Sequence, residues 1–91
     1  MTVDGRLKNK VAVITGAGSG IGLAIAERFY EQGASVVVSD ISGNEKVVAK
    51  NLGERALAVH ADVTRSADIQ AMLKAAVERF GGIDILCNNA G

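Results

Sequence analysis

Short apolar runs alternate with amphipathic segments along the chain, and glycines separate several of them. The first run, residues 10–15, is continuous and rich in β-branched side chains, which is typical of a parallel strand buried on both faces. From Gly20 the apolar residues recur at helical spacing until Gly33, where a glycine can end the helix. This pattern predicts a central strand followed by a helix.

The next segments predict a strand, a weaker helix and another strand. Residues 35–39 form a second apolar run that ends in Asp40, and residues 44–52 form the weaker helix. The residues of this helix expected to face inward are Val47, Val48 and Leu52. Residues 56–60 are less β-branched, which favours a strand nearer the edge of the sheet.

The clearest periodicity lies in residues 66–80, which predict an amphipathic helix. Ser66 is its expected N-cap, and Asp68 lies in the first turn, where a carboxylate interacts favourably with the helix dipole. Gly81 and Gly82 would end this helix, and residues 83–87 predict a fourth strand. The expected buried stripe consists of Ile69, Met72, Leu73, Ala76, Val77 and Phe80.

The resulting order, βαβαβαβ, predicts an α/β fold with a parallel sheet and right-handed crossovers. In a doubly wound arrangement the first two helices cover one face of the sheet, and only the third covers the other. The fourth strand would leave one sheet edge unpaired, which invites pairing with more chain or with another molecule. We therefore interpret residues 1–91 as one incomplete domain and expect a symmetric dimer, since two-fold association lets an exposed patch cover itself.

Composition and charge narrow the function classes. Ten basic and ten acidic side chains cancel, so the chain lacks the electrostatic footprint of a protein that binds nucleic acid or an anionic membrane. No apolar run approaches the roughly 18 residues needed to span a bilayer, and no signal peptide is evident. Cys87 is the single cysteine, which excludes an internal disulfide, and no Cys or His cluster suggests a metal site. These features predict a cytoplasmic, soluble protein.

A glycine-rich turn, residues 15–22 (TGAGSGIG), joins the first strand to the first helix. Such a turn needs residues without Cβ for a tight reversal, for close approach to a pyrophosphate and for helix packing on the strand, and Gly16, Gly20 and Gly22 are placed for these purposes. Backbone N–H groups at the start of the helix would then face the phosphates. The sequence predicts a dinucleotide-phosphate site, with a purely steric turn as the alternative.

Asp40 lies at the end of the second strand, where a carboxylate can accept hydrogen bonds from the ribose hydroxyls of adenosine. The alternative is an exposed Asp that caps the following turn or helix. A 2′-phosphate would be repelled there, and the neighbours Ser39 and Ile41 supply no cation. Asp40 therefore favours NAD over NADP.

Three motifs together resemble the short-chain dehydrogenase/reductase family. Residues 15–22 match its TGxxxGxG cofactor motif, residues 88–91 match its NNAG motif after the fourth strand, and Asp62-Val63 is similar to its adenine-contacting pair. The motifs occur in the family's order, and the resemblance covers essentially the whole chain. It implies a Rossmann-type doubly wound sheet with strand order 3-2-1-4, and hydride transfer between NAD and an alcohol or ketone.

The resemblance also implies a set of cofactor-binding residues. They are Gly16, Ser19, Gly20 and Ile21 along the ribose and pyrophosphate, Asp40 at the ribose hydroxyls, Asp62 and Val63 at the adenine, and Asn89, Ala90 and Gly91 toward the nicotinamide. Asn88 has two open interpretations, a part in the site or a structural tie from its amide to nearby backbone.

The family's catalytic Tyr and Lys, in a YxxxK pattern, and its upstream Ser all lie beyond the fourth strand and have no counterpart here. Tyr30, the only tyrosine, is followed four residues later by Ala34 and is expected to be a packing residue. We expect His60 to be structural or exposed and Cys87 to be a buried, inert thiol.

The sequence thus predicts the N-terminal, cofactor-binding part of an NAD-dependent alcohol or ketone oxidoreductase. It predicts no catalytic residue and no metal ligand, so the chain by itself would bind cofactor at most. The substrate would be bound only by a longer parent protein. The alternatives are a free-standing, non-catalytic nucleotide-binding module and a self-associating structural fragment.

Overall fold

A computed structural model describes residues 6–89, in which strands and helices alternate in the predicted order. The strands are β1 (Val11–Thr15), β2 (Ser35–Asp40), β3 (Ala56–His60) and β4 (Ile85–Cys87). The helices are α1 (Gly20–Glu31), α2 (Glu45–Leu52) and α3 (Ser66–Phe80). Within this part of the chain, no helix has the length and apolar character that crossing a bilayer requires.

All four strands are parallel, and their order in the sheet is β3-β2-β1-β4, which confirms the predicted Rossmann-type topology. At the centre of the sheet, Val13 pairs with Val37 on one side and with Leu86 on the other. Every residue of β1 is buried, as expected for the central strand. β3 lies at an edge, also as predicted.

β4 begins at Ile85, two residues later than predicted. At its start, the backbone N–H of Asp84 donates to the carbonyl oxygen of Val11 at 2.8 Å. The Val11 N–H donates in turn to the Asp84 carboxylate oxygen Oδ2, also at 2.8 Å. A side chain therefore accepts one of the bonds at this end, and the regular backbone ladder starts only after it.

Successive residues of each strand point to opposite faces, which divides the core into two clusters. The face under α1 and α2 buries Ala12, Ile14, Ala17, Ala26, Ala34, Val36, Val38, Val48 and Ala49. The face under α3 buries Val13, Val37, Met72 and Ala76. Two helices on one face and one on the other is the distribution that the sequence predicted.

Two valines predicted to face the core do not. Val47 in α2 is 54% exposed and Val77 in α3 is 49% exposed. In α2 the buried positions are instead Glu45, Val48 and Ala49, a stripe at i, i+3 and i+4 from which Val47 is rotated away. In α3 the buried positions are Met72 and Ala76, and Val77 is not among the residues packed against them.

The predicted N-cap of α3 is also wrong by one residue. Ser66 is the first helical residue, and Arg65 occupies the N-cap position without a capping side-chain bond. Asp68 does lie in the first turn, as predicted. Its Oδ2 accepts a hydrogen bond at 2.9 Å from the backbone N–H of Asp62, so this carboxylate binds the preceding loop.

Candidate functional site

The glycine-rich turn between β1 and α1 has the steric character that the sequence predicted. Gly16 and Gly20 have φ values of 62° and 60°, in the left-handed region that favours glycine. A Cβ on Gly22 would overlap the carbonyl oxygen of Gly16, so α1 can pack this closely only through a glycine. A Cβ on Gly20 would meet no neighbouring atom within 4 Å. The backbone at Gly20 therefore borders open space.

The N-terminus of α1 is suited to an anion. Ser19 occupies the N-cap position but makes no capping side-chain bond, and α1 has no acidic residue in its first turn. Ser19, Gly20 and Ile21 are all exposed, Ile21 at 73%. The first N–H groups of a helix lack intrahelical partners and lie at the positive end of its dipole. Together these features form a site at which a phosphate group would be stabilised.

Asp40 lies against this turn. Its Oδ2 accepts a hydrogen bond from the N–H of Gly18 at 2.8 Å, and its Oδ1 accepts from the N–H groups of Ile41 and Ser42 at 2.8 and 3.1 Å. Partial burial acts to raise the pKa of Asp40, but these backbone N–H groups, with Gly18 first, outweigh it and hold the pKa below its usual value. The carboxylate is therefore ionised at neutral pH.

Both interpretations of Asp40 from the sequence have a geometric basis. The bonds to Ile41 and Ser42 are those of a residue that caps the following turn. The bond to Gly18 also brings the charge to the glycine-rich turn, and a carboxylate oxygen that accepts one or two N–H bonds can still accept a hydroxyl. A Cβ on Gly18 would lie 2.8 Å from Oδ2, so a larger residue there would displace the Asp40 side chain.

Asp62 and Val63, the predicted adenine-contacting pair, follow β3. Asp62 Oδ1 accepts hydrogen bonds from the hydroxyl and the N–H of Thr64 at 2.6 and 2.9 Å. The Thr64 hydroxyl is the main cause, and the Thr64 N–H the second, of a pKa of Asp62 below its usual value. Val63 borders a cavity of about 280 Å³. The residues lining this cavity are Thr15, Val63, Ile69, Met72, Leu86 and Asn88.

The residues after β4 are tied to the end of β1. The hydroxyl of Thr15 donates to Asn88 Oδ1 at 3.1 Å, with Cys87 O as a second acceptor at 3.4 Å, and accepts from the N–H of Asn89 at 2.9 Å. The side chain of Asn89 donates to Gly16 O at 3.4 Å. These bonds support the structural interpretation of Asn88, although its partner is a side chain rather than backbone. Of the other predicted residues in this motif, Ala90 and Gly91 lie outside the described residues.

Two residues beside the site were not singled out from the sequence. Gly18 joins the turn to Asp40, and Glu45, the first residue of α2, is completely buried. Glu45 Oε2 lies 3.3 Å from Nδ1 of His60, an exposed residue at the end of β3. Glu45 Oε1 has no hydrogen-bond partner among the described residues. A charged residue in a first helical turn gives no sequence signal of burial, so the contact of Glu45 with His60 could not have been found from spacing. The bond between Gly18 and Asp40 joins residues 22 positions apart, which spacing does not reveal either.

Tyr30 and Cys87 belong to the packing of the α1 and α2 face. Tyr30 is half-buried, and the Arg55 guanidinium carbon lies 4.0 Å from its ring centroid. A Cβ on Gly53 would overlap the Tyr30 hydroxyl, so the phenol is enclosed on that side. This confirms the packing role. Cys87 is only half-buried, less than predicted. Within residues 6–89, no group of three or more His, Cys, Asp or Glu side chains is arranged to hold a metal ion.

Comparison with known proteins finds a dehydrogenase family model and oxidoreductase relatives that match this chain. The model of the short chain dehydrogenase family matches residues 10–91. Galactitol 2-dehydrogenase of Agrobacterium fabrum is 52% identical over 86 residues, which cover 93% of this chain and 34% of that protein. An uncharacterized oxidoreductase of Mycobacterium tuberculosis is 49% identical over 88 residues, covering 93% and 36%. The chain thus spans about a third of the length of these relatives.

Two solved structures share the fold. The 3-ketoacyl-(acyl-carrier-protein) reductase of Brucella melitensis, complexed with NADH, has a TM-score of 0.86 and 48% identity, over 88% of this chain and 33% of its own. A short chain dehydrogenase/reductase of Burkholderia phymatum, in complex with NAD, has a TM-score of 0.84 and 39% identity, over 88% and 30%.

Proposed function

Because the chain belongs to the short-chain dehydrogenase family of oxidoreductases, we propose that it forms the N-terminal, cofactor-binding part of an NAD-dependent alcohol or ketone oxidoreductase. The observation that carries this proposal is the bond from the Gly18 N–H to Asp40, at 2.8 Å. It places an ionised acceptor beside an open helix N-terminus, which is the combination that an adenosine diphosphate group needs. The two structural neighbours, one in complex with NADH and the other with NAD, also support it.

When bound, NAD supplies the site that accepts or donates the hydride. The residues of this chain bind and orient the rest of the cofactor, and the open backbone at Gly20 fits a pyrophosphate. The proposed contacts are Gly16, Ser19, Gly20 and Ile21 at the pyrophosphate, Asp40 at the ribose, Asp62 and Val63 at the adenine, and Asn89, Ala90 and Gly91 toward the nicotinamide.

We further propose a preference for NAD over NADP. The lowered pKa of Asp40 keeps its carboxylate charged at neutral pH, and a 2′-phosphate on the ribose would meet that charge. Residues 41–44, which follow Asp40, contain no cationic side chain to neutralise a phosphate. An added phosphate is therefore repelled without compensation.

Calorimetric titration of the chain with NAD, NADP and AMP tests both proposals. We expect NAD and AMP to bind with Kd values below about 1 mM, and NADP to bind at least about tenfold more weakly than NAD. If neither NAD nor AMP binds at millimolar concentration, the cofactor-binding proposal is wrong. If NADP binds as tightly as NAD, only the preference is wrong.

Catalysis by the chain alone is not expected. Tyr30 is the only tyrosine, it lies near the far end of α1 from the glycine-rich turn, and Arg55 covers its ring. General acid–base catalysis requires a side chain within hydrogen-bond reach of the reacting oxygen. Incubation of the chain with NAD and a panel of secondary alcohols should therefore give no growth of NADH absorbance, and measurable turnover would contradict this.

A second candidate function is a self-associating, non-catalytic nucleotide-binding module. Leu86 of β4 is 55% exposed and borders the cavity under α3, so one face of the sheet offers an apolar surface. A second copy related by two-fold symmetry would cover it. Sedimentation velocity tests this candidate, which a folded monomer at micromolar concentration would eliminate.

A further inference from the structure

Asn44 immediately precedes α2, at a position where Asn usually accepts hydrogen bonds from the first N–H groups of a helix. Here its side chain makes no capping bond, and its backbone is helical, with φ −70° and ψ −15°. The side-chain amide instead donates to the carbonyl oxygen of Gly18, in the glycine-rich turn. The capping capacity of this residue is therefore unused, and its side chain binds the turn.

Gly18 is held at both of its backbone polar groups by the same loop. Its N–H donates to Asp40 Oδ2 at 2.8 Å, and its carbonyl accepts from Asn44. The loop is itself cross-linked, because the Ser42 N–H donates to Asp40 Oδ1 and the Asn44 N–H donates to Ser42 Oγ, both at 3.1 Å. The two bonds to Gly18 thus come from one connected segment, residues 40–44.

The far end of this segment is fixed as well. Glu45, the next residue, is fully buried and lies 3.3 Å from His60 at the end of β3. The N–H of Val48 donates to the Asn44 carbonyl at 3.1 Å, so the backbone of Asn44 is part of the first turn of α2. Asn44 is therefore a rigidly mounted donor aimed at the turn.

We propose that Asn44 is a positioning residue for cofactor binding, which holds Gly18 so that the turn keeps its N–H groups directed at the pyrophosphate. The proposal rests on the proposed function. The bond from Asn44 matters most when cofactor is bound, because the ribose hydroxyls and the Gly18 N–H then share the Asp40 carboxylate. The carbonyl of Gly18 has no such competitor for Asn44.

Asn44→Ser separates positioning from helix stability. Serine is a good N-cap and neutral, but it is too short to reach Gly18, so α2 should keep its stability while the turn is released. We expect the Kd for NAD to rise about three- to tenfold, the equivalent of one neutral hydrogen bond. The Kd for adenosine, which has no phosphate, should change less than about twofold. Asn51→Ser, at an exposed position of the same helix, is the matched control and should change neither.

Amide hydrogen exchange of the free chain provides a readout that is independent of cofactor binding. In Asn44→Ser the Gly18 amide should exchange at least about threefold faster, while the Val48 amide keeps its rate. Unchanged exchange at Gly18 overturns the inference, as does a parallel loss of NAD and adenosine affinity. If wild-type chain binds no NAD, the proposed function fails, and the exchange at Gly18 still decides whether Asn44 holds the turn.

Discussion

The two faces of the sheet differ in how completely they are covered, and the site draws on the better covered one. Under α1 and α2 the core extends from β1 to the edge strand β3, whereas under α3 it is small and leaves Leu86 55% exposed. The glycine-rich turn and Asp40 connect to the elements of the first face, namely α1 and α2. The residues proposed to bind phosphate and ribose are therefore held by the better covered face of the sheet.

The largest effect should come from breaking the covered face. In Gly22→Ala the new Cβ would overlap the Gly16 carbonyl oxygen, so α1 must move away from β1. We expect a loss of about 3 kcal/mol in unfolding free energy, at the upper end for overpacking because backbone must shift. Urea unfolding followed by circular dichroism measures it. Gly82→Ala, where a Cβ meets no neighbour within 4 Å, is the control, and equal stability of the two variants would contradict the close packing.

Asp40→Asn tests the contact between the turn and the covered face at the proposed site. The amide keeps the size of the side chain but loses the charge and part of its capacity to accept bonds from Gly18, Ile41 and Ser42. We expect about tenfold weaker NAD binding, because the charge-assisted bonds proposed between the carboxylate and the ribose hydroxyls are lost. We also expect a smaller difference in affinity between NAD and NADP, because the repulsion of the 2′-phosphate is lost. Calorimetry measures both. Asp84→Asn, at the other end of the sheet, should leave the NAD to NADP ratio unchanged.

Low pH should destabilise the covered face of the sheet through protonation of Asp40. The pKa of Asp40 is lowered in the folded state, so its contribution to stability is present above the unfolded pKa, about 3.9, and is lost as the pH falls through the lowered folded value. The pKa of Asp62 is also lowered, so its contribution to stability changes with pH in the same direction. The midpoint temperature of thermal unfolding, measured from pH 7 to pH 2.5, should therefore decrease once the pH is below about 4. The decrease should be less steep in Asp40→Asn. Identical pH profiles for the two chains would show that Asp40 is not the group responsible.

The smallest effect on stability should come from the open face. Leu86→Lys places a charge on a half-exposed position, and such surface changes usually alter unfolding free energy by no more than about 0.5 kcal/mol. The proposed self-association should nevertheless weaken strongly, because a charge at the centre of the proposed apolar contact would be desolvated on dimerisation. Sedimentation velocity of wild type, Leu86→Lys and Gln70→Lys, which adds the same charge at an exposed position of α3, distinguishes this from a general effect of charge.

Most of the fold could be predicted because it depends on local pattern. The apolar run of β1 gives a strand buried on both faces, and the spacing in α3 gives one buried stripe. The exposure of Val47 and Val77 could not be predicted, since periodicity does not fix which helical positions the tertiary structure buries, and in α2 these include the charged Glu45.

Part of the candidate site could also be predicted from the sequence, as with the fold. Glycine positions and an acid at the end of β2 are visible in the sequence because steric and charge requirements fix the residue type. The contacts of Asn44 with Gly18 and of Glu45 with His60 join separate elements, so they depend on how α2 is placed over the sheet. The bond from the Asp62 N–H to the Asp68 carboxylate likewise joins the loop after β3 to α3, and the spacing of apolar residues does not reveal it.

The short strand β4 has a consequence for the order of folding. Its bonds with β1 at Asp84 and at Asn88 each close a loop of 73 residues, whereas β1 and β2 are joined by α1 alone. Loop closure over such a distance costs more entropy, so β1, α1 and β2 should associate early and β4 should dock last. Asp84→Ala would then speed unfolding and leave the refolding rate nearly unchanged in stopped-flow experiments. The glycine-rich turn, proposed to bind phosphate, would thus form before the strand beside the proposed nicotinamide contacts.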